Sequence, residues 1–154
     1  WEGISQCLRA GALPDYALAM SIQCRVEHLG FATPDPRMLA RWYVEVIGGE
    51  LVWENGATPP ALFVRLPGGF VLEIYSSTTV SPEVGLNHLA GFRHLALRVE
   101  NIEIAKASLE HKGVAFVEPI KPAGGGGRVL FFRDPCGNLL HLVERSADAP
   151  LHSL

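Results

Sequence analysis

The stretch FRDPCGNLLHL at residues 132–142 has the pattern of a strand, a tight turn and a second strand. Its Asp-Pro pair and the glycine that follows favour a reversal of the chain direction. The earlier stretch VRLPGGFVLEI at residues 64–74 has the same organisation, with a proline and two glycines at its turn. Two hairpins of one kind in a single chain indicate an internal duplication, and this duplication decides the fold.

A strand, a helix and another strand precede each hairpin. In the first copy Asp35 and Pro36 predict the start of the helix, and a pair of glycines ends it. In the second copy Asn101 is the predicted helix cap and Gly113 follows the last turn. A strand is predicted after each helix, at residues 50–54 and 114–118. The sequence therefore predicts an α+β fold in which two βαβββ modules form a curved mixed sheet.

The chain has 154 residues, 48% of them hydrophobic, which suits one domain with a single core. We expect the first module at residues 23–76 and the second at residues 91–146. The remaining segments are a linker, an N-terminal extension and a tail, at residues 77–90, 1–22 and 147–154. Met20 lies shortly before the first predicted strand and is a candidate natural start, in which case residues 1–19 are not native.

Charge and composition exclude several classes of function. The 13 basic and 16 acidic residues give a net charge of −3, which argues against binding to nucleic acid or to an anionic membrane surface. No uncharged stretch approaches the ~20 residues of a membrane-spanning helix. The three cysteines form no Cys-x-x-Cys pair, as expected of reduced thiols. We therefore expect a cytoplasmic protein whose partner is a small molecule.

The alternation of side chains along the strands separates a covered face from an open one. Aliphatic residues such as Leu29, Leu72, Leu95 and Leu140 are expected to pack beneath the helices. Four potential metal ligands are left on the uncovered faces: His28, Glu73, His94 and His141. If the two half-sheets curve around one cleft, three imidazoles and a carboxylate converge there, a set that suits zinc, nickel, cobalt or iron(II).

At these residues, and most specifically in residues 132–142, the sequence resembles the vicinal oxygen chelate superfamily over about residues 24–146. That superfamily includes glyoxalases, methylmalonyl-CoA epimerases, extradiol dioxygenases, fosfomycin-resistance transferases and bleomycin-binding proteins. The resemblance implies one divalent metal that takes two neighbouring oxygens of a substrate, with His28, Glu73, His94 and His141 as ligands. It also implies a homodimer, and in some members the two modules around a metal come from different chains.

One position departs from the pattern of the superfamily. The final strand usually carries glutamate where this chain has His141, and in glyoxalase-like and epimerase-like members that carboxylate helps to move a proton. Either Glu73 acts as the base, or His28, His94 and Glu73 hold the metal and His141 is the acid/base. Arg98 and Tyr75 lie on the same strand faces and are candidates for substrate binding.

Three functions follow from this set. The leading one is a glyoxalase-like or epimerase-like lyase or isomerase that uses the metal as a Lewis acid. The second is an extradiol-type iron(II) dioxygenase, which a site of two histidines and one carboxylate would suit. The third is a non-catalytic protein of the bleomycin-resistance type that binds a drug or metabolite in the same cleft.

Overall fold

The computed structural model describes residues 24–116 and 118–151. The first module contains, in chain order, β1 (His28–Thr33), α1 (Pro36–Glu45), β2 (Glu50–Glu54), β3 (Leu62–Arg65) and β4 (Val71–Ser76). Its strands form one four-stranded sheet in the order β1-β4-β3-β2. β1 runs parallel to β4, and the other neighbours are antiparallel.

The second module repeats this organisation. It contains β5 (His94–Arg98), α2 (Ile102–His111), β6 (Lys121–Pro122), β7 (Arg128–Arg133) and β8 (Leu139–Glu144). Its sheet has the order β5-β8-β7-β6, again with the first strand parallel to the last. The predicted α+β fold of two βαβββ modules is confirmed, although the described strands form two sheets rather than one continuous sheet.

The helix starts that the sequence predicts are confirmed by their hydrogen bonds. The backbone N–H of Met38 donates to Oδ1 of Asp35 at 3.0 Å, and Pro36 occupies the first turn of α1. In α2 the N–H of Ile104 donates to Oδ1 of Asn101 at 2.9 Å. Each acceptor satisfies one of the free N–H groups at a helix start, so these local signals were sufficient to place both helices.

One hydrophobic core joins the two modules. Leu39 and Tyr43 of α1 belong to the same buried cluster as Ile102 of α2, Leu72 of β4 and Leu140 of β8. The aliphatic faces of the strands are the ones that pack against this cluster, as the alternation predicted. The opposite faces of the sheets are therefore available for the polar residues of the candidate site.

The turn of the second hairpin is organised by the buried carboxylate of Asp134. Its Oδ1 accepts from the backbone N–H groups of Cys136 and Asn138, both at 2.9 Å. Its Oδ2 accepts from the Asn138 amide at 2.7 Å and from the Tyr43 hydroxyl at 3.1 Å. Burial raises the pKa of Asp134, and these hydrogen bonds act in the opposite direction. The Asp-Pro turn thus also ties the second module to α1 of the first.

The prediction of a strand at residues 114–118 is wrong in extent. Of the described residues in this segment, 114–116 and 118, Phe116 alone pairs with β7, through a single bridge to Phe132, and pairing resumes at β6. Pro119 stands between the two contacts and has no N–H to donate to a ladder, which explains the interruption. The described residues therefore contact β7 at two short, separate places.

The glycines at residues 124–127 form a defined turn between β6 and β7. The N–H of Ala123 donates to the carbonyl of Gly127 at 3.0 Å. Arg145 donates to the carbonyls of Gly124 and Gly126 at 2.7 and 3.0 Å. The guanidinium group of Arg145 therefore holds this loop.

Some predicted segments lie outside the described residues. They include Met20 with the whole of the extension at residues 1–22, and residues 152–154 of the tail, of which the structure describes nothing. Among the residues that are described, neither helix is long and apolar enough to cross a membrane.

Candidate metal centre

In the first module His28 and Glu73 lie side by side on the open face of the sheet. Nε2 of His28 is 3.3 Å from Oε2 of Glu73. Glu73 is paired in register with Gly30, two residues beyond His28, so both side chains point to the same face. The ring of His28 stacks on Phe63, with 5.7 Å between centroids. About one third of each polar side chain is exposed, which leaves the pair accessible.

The absence of a side chain at Gly30 leaves space for Tyr75 beside Glu73. A Cβ at position 30 would lie 3.2 Å from Cε1 of Tyr75 and 3.9 Å from Oε2 of Glu73. Tyr75 therefore approaches the β1 backbone closely, on the same face as Glu73. The predicted substrate-binding residue lies beside the predicted ligands, and a larger residue than glycine would displace it.

In the second module His94 and His141 form the equivalent pair. Their rings are 4.6 Å apart between centroids. His141 is paired in register with Ala96, two residues beyond His94, which is the arrangement of Glu73 opposite Gly30. Phe131 packs edge-on against both rings, at 5.9 Å from His94 and 4.8 Å from His141. The rings of His94 and Phe131 both lie against His141. His141 is only 8% exposed, so it is more buried than its position on an uncovered face suggested.

Nδ1 of His141 is buried and has no hydrogen-bond partner. Burial, followed by the neighbouring His94 and Arg145, lowers the pKa of His141 to about 4. At neutral pH the imidazole is therefore uncharged and has a lone pair on one ring nitrogen, the state that metal coordination requires. Three imidazoles and a carboxylate are also a donor set that divalent transition metals accept, so the residues fit such an ion.

Within one chain the four predicted ligands form two pairs. Across residues 24–116 and 118–151 no group of three or more His, Cys, Asp or Glu side chains is arranged to hold a metal ion. The sheet order gives a reason, since β1 and β5 each lie at the edge of their own sheet and do not pair with each other. Within the described chain each pair therefore offers two of the four predicted ligands.

Arg98, the other predicted substrate-binding residue, lies at the far end of β5 from His94. Its Nη1 donates to the backbone carbonyl of Leu151 at 3.0 Å. Arg98 therefore contacts the tail of the chain.

Two phenylalanines that pack against the predicted ligands were not predicted from the sequence. Phe63 lies against His28 and is paired in register with Glu73. Phe131 occupies the equivalent position in the second module and is paired with His141. The signal was present in the sequence, because aligning the two hairpins at Glu73 and His141 also aligns the two phenylalanines.

Comparison with known proteins places residues 25–142 in the family model described as Glyoxalase/Bleomycin resistance protein/Dioxygenase superfamily. Among curated proteins, the mitochondrial methylmalonyl-CoA epimerase of Bos taurus is 26% identical over 132 residues, which cover 79% of this chain and 74% of the epimerase.

Solved structures agree with this placement. A glyoxalase family protein from Enterococcus faecalis is 30% identical, has a TM-score of 0.67, and the match covers 78% of this chain and 97% of that one. The fosfomycin resistance protein FosX from Listeria monocytogenes, solved with Mn(II) and 1S,2S-dihydroxypropylphosphonic acid, has a TM-score of 0.63. The match covers 86% of this chain and 98% of FosX, and the 16% identity supports the fold alone.

Proposed function

The chain belongs to the glyoxalase, bleomycin resistance protein and dioxygenase superfamily, and on this basis we propose that it is a metal-dependent isomerase or lyase. Its substrate would be a small molecule with two neighbouring oxygens, one of them a carbonyl oxygen. The metal, when bound, would polarise that carbonyl as a Lewis acid. His28, Glu73, His94 and His141 are the proposed ligands.

The observation that carries this proposal is the buried, unpartnered Nδ1 of His141 beside the ring of His94. An unsatisfied polar atom inside a protein has a free-energy cost unless another group completes it. No described residue of the chain forms a hydrogen bond with Nδ1 of His141, so this cost remains. A metal ligated by the histidine pair would hold both rings in place.

Glu73 is the proposed proton acceptor. His141 is only 8% exposed, so its ring is less accessible to a substrate than Glu73, and its pKa of about 4, lowered mainly by burial, also makes it a weak base. Glu73 is one third exposed, and its carboxylate can receive a proton from a substrate carbon. Tyr75, which lies beside Glu73, would contact the substrate.

We also propose that two copies of the chain complete each metal centre. β1 and β5 are sheet edges, and such edges commonly pair with another strand. Val26 and Phe92, which lie two residues before these strands, are 82% and 94% exposed. Exposed apolar side chains beside a sheet edge favour burial against a partner. Pairing of β1 with β5 of a second copy would bring the His28 half-site to the His94 half-site.

Metal analysis of the purified protein tests the proposal. We expect one divalent metal per chain, and we expect His28→Ala and His94→Ala each to abolish its uptake. His111→Ala, an exposed histidine at the end of α2, is the matched control and should retain the metal. The proposal would be contradicted if the purified protein contains no metal and its melting temperature does not change when zinc, nickel, manganese or iron(II) is added. That result would favour a non-catalytic binding protein.

The type of reaction is tested by hydrogen exchange in heavy water. The metal-loaded protein should incorporate deuterium next to the carbonyl of a suitable α-oxygenated compound, detected by NMR. Glu73→Gln, assayed at saturating metal, should lose this exchange. Oxygen consumption by an iron(II)-loaded protein, with no deuterium incorporation, would instead identify a dioxygenase.

A further inference from the structure

We propose that Asn87, in the linker between the modules, is a positioning residue that fixes the tautomer of His94. The effect of Asn87 on metal uptake rests on the proposed function. The tautomer itself is a property of the metal-free protein and can be tested separately.

The geometry gives the direction of the hydrogen bond. Nδ1 of His94 lies 3.1 Å from Oδ1 of Asn87. An amide oxygen only accepts hydrogen bonds, so this contact requires the tautomer with its proton on Nδ1 of the ring. The lone pair of the neutral imidazole is then on Nε2, which becomes the nitrogen available to a metal.

The backbone before Asn87 is held by two arginines. Arg133 donates to the carbonyls of Val84 and Gly85 at 3.3 and 3.1 Å. Arg93 donates to the carbonyl of Leu86 at 3.3 Å. These three consecutive carbonyls lead directly to Asn87, so its amide is presented to His94 by an anchored segment.

Gly85 is necessary for this anchoring. Its φ of +74° lies in the left-handed region that glycine tolerates, and a Cβ at this position would be 1.7 Å from Nη1 of Arg133. Only glycine lets the guanidinium lie against the linker backbone. Arg133 belongs to the same hairpin as His141, so the anchor of the linker is part of the second module.

Comparison of the two modules shows why the linker supplies the acceptor. In the first module the carboxylate of Glu27 contacts Nδ1 of His28, and Nε2 of that ring faces Glu73. The residue equivalent to Glu27 is Arg93, which has no acceptor atom. Asn87 therefore supplies in the second module what Glu27 supplies in the first.

Nitrogen NMR of the histidine side chains tests the tautomer in metal-free protein at mildly alkaline pH. We expect His94 to carry its proton on Nδ1 in the wild type, with the resonance assigned by its loss in His94→Gln. Asn87→Ala removes the acceptor and should convert His94 largely to the Nε2–H form that free imidazole side chains favour. Asn87→Asp keeps an acceptor and should retain the Nδ1–H form.

The resonances of His28 provide the internal control, because its acceptor is Glu27 and neither variant changes it. Unaltered His28 signals in Asn87→Ala would show that the fold is intact. A wild-type His94 protonated on Nε2, or an Asn87→Ala variant with an unchanged tautomer, would overturn the proposal. A purely structural role of Asn87 would shift the melting temperature without exchanging the protonated nitrogen.

Zinc titration by calorimetry then tests the consequence. Loss of an outer hydrogen bond to a ligand histidine commonly weakens metal binding, and for this exposed contact we expect about a tenfold loss in Asn87→Ala. Asn87→Asp should bind zinc as well as the wild type or better. If the tautomer changes as expected but the wild type binds no metal, the positioning role stands and the proposed function fails.

Discussion

The stability of the metal-free protein should fall between pH 7 and pH 4 because of His141. Its ordinary pKa of 6.5 applies to the unfolded chain, and burial lowers the pKa of the folded state to about 4. Between these values the unfolded state binds a proton that the folded state does not. The contribution is therefore complete above the unfolded pKa and is lost as the pH falls through the folded pKa, by about 3 kcal/mol in total.

Urea unfolding at a series of pH values, after removal of metal by a chelator, measures this dependence. His141→Phe places a non-titrating ring in the aromatic surroundings of Phe131, and its free energy of unfolding should be flatter than that of the wild type over the same range. His94→Gln removes only the second cause of the shift and should retain most of the dependence. Parallel curves for the wild type and His141→Phe would refute the assignment of a buried neutral imidazole.

Two substitutions test the contacts that shape the hairpin and the glycine turn. Tyr43→Phe removes one hydrogen bond to Asp134 without creating a cavity, and urea unfolding should show a loss of about 1 kcal/mol; an unchanged midpoint would mean that this bond does not stabilise the protein. Gly127→Ala should lose about 3 kcal/mol or more, because its φ is +96° and a Cβ would lie 2.0 Å from the carbonyl oxygen of Glu144. Gly124→Ala is the matched control in the same turn, since nothing lies within 4 Å of its Cβ, and should be neutral or slightly stabilising; equal losses in the two variants would contradict the described turn.

The features that local sequence could predict are those set by a few neighbouring residues. Asp35 and Asn101 accept the hydrogen bonds that begin the two helices, and both were recognisable as caps. The alternation of apolar residues also predicted which strand faces join the core. Repetition of this pattern was sufficient to identify two modules and to place one potential ligand pair in each.

The features that local sequence could not predict depend on contacts between distant segments. Among the described residues of the strand expected at 114–118, only Phe116 pairs with β7, because this pairing depends on the position of Pro119 as well as on apolar alternation. Asn87 lies in a linker with no periodicity, and only its contact with His94 gives it a role. The alternation predicted the faces of the strands but carried no information on how the two sheets lie relative to each other.

In the proposed metal centre, His28 and Glu73 of one chain share a metal with His94 and His141 of another. Co-expression of His28→Ala and His94→Ala chains carrying different tags yields a mixed dimer that can be purified and analysed for metal by native mass spectrometry. A shared centre predicts one metal per mixed dimer, since one of its two centres keeps all four ligands, whereas each variant alone binds none. The opposite result is a mixed dimer that contains no metal, like each variant alone, while the wild type is fully loaded. It would show that each centre is built within a single chain.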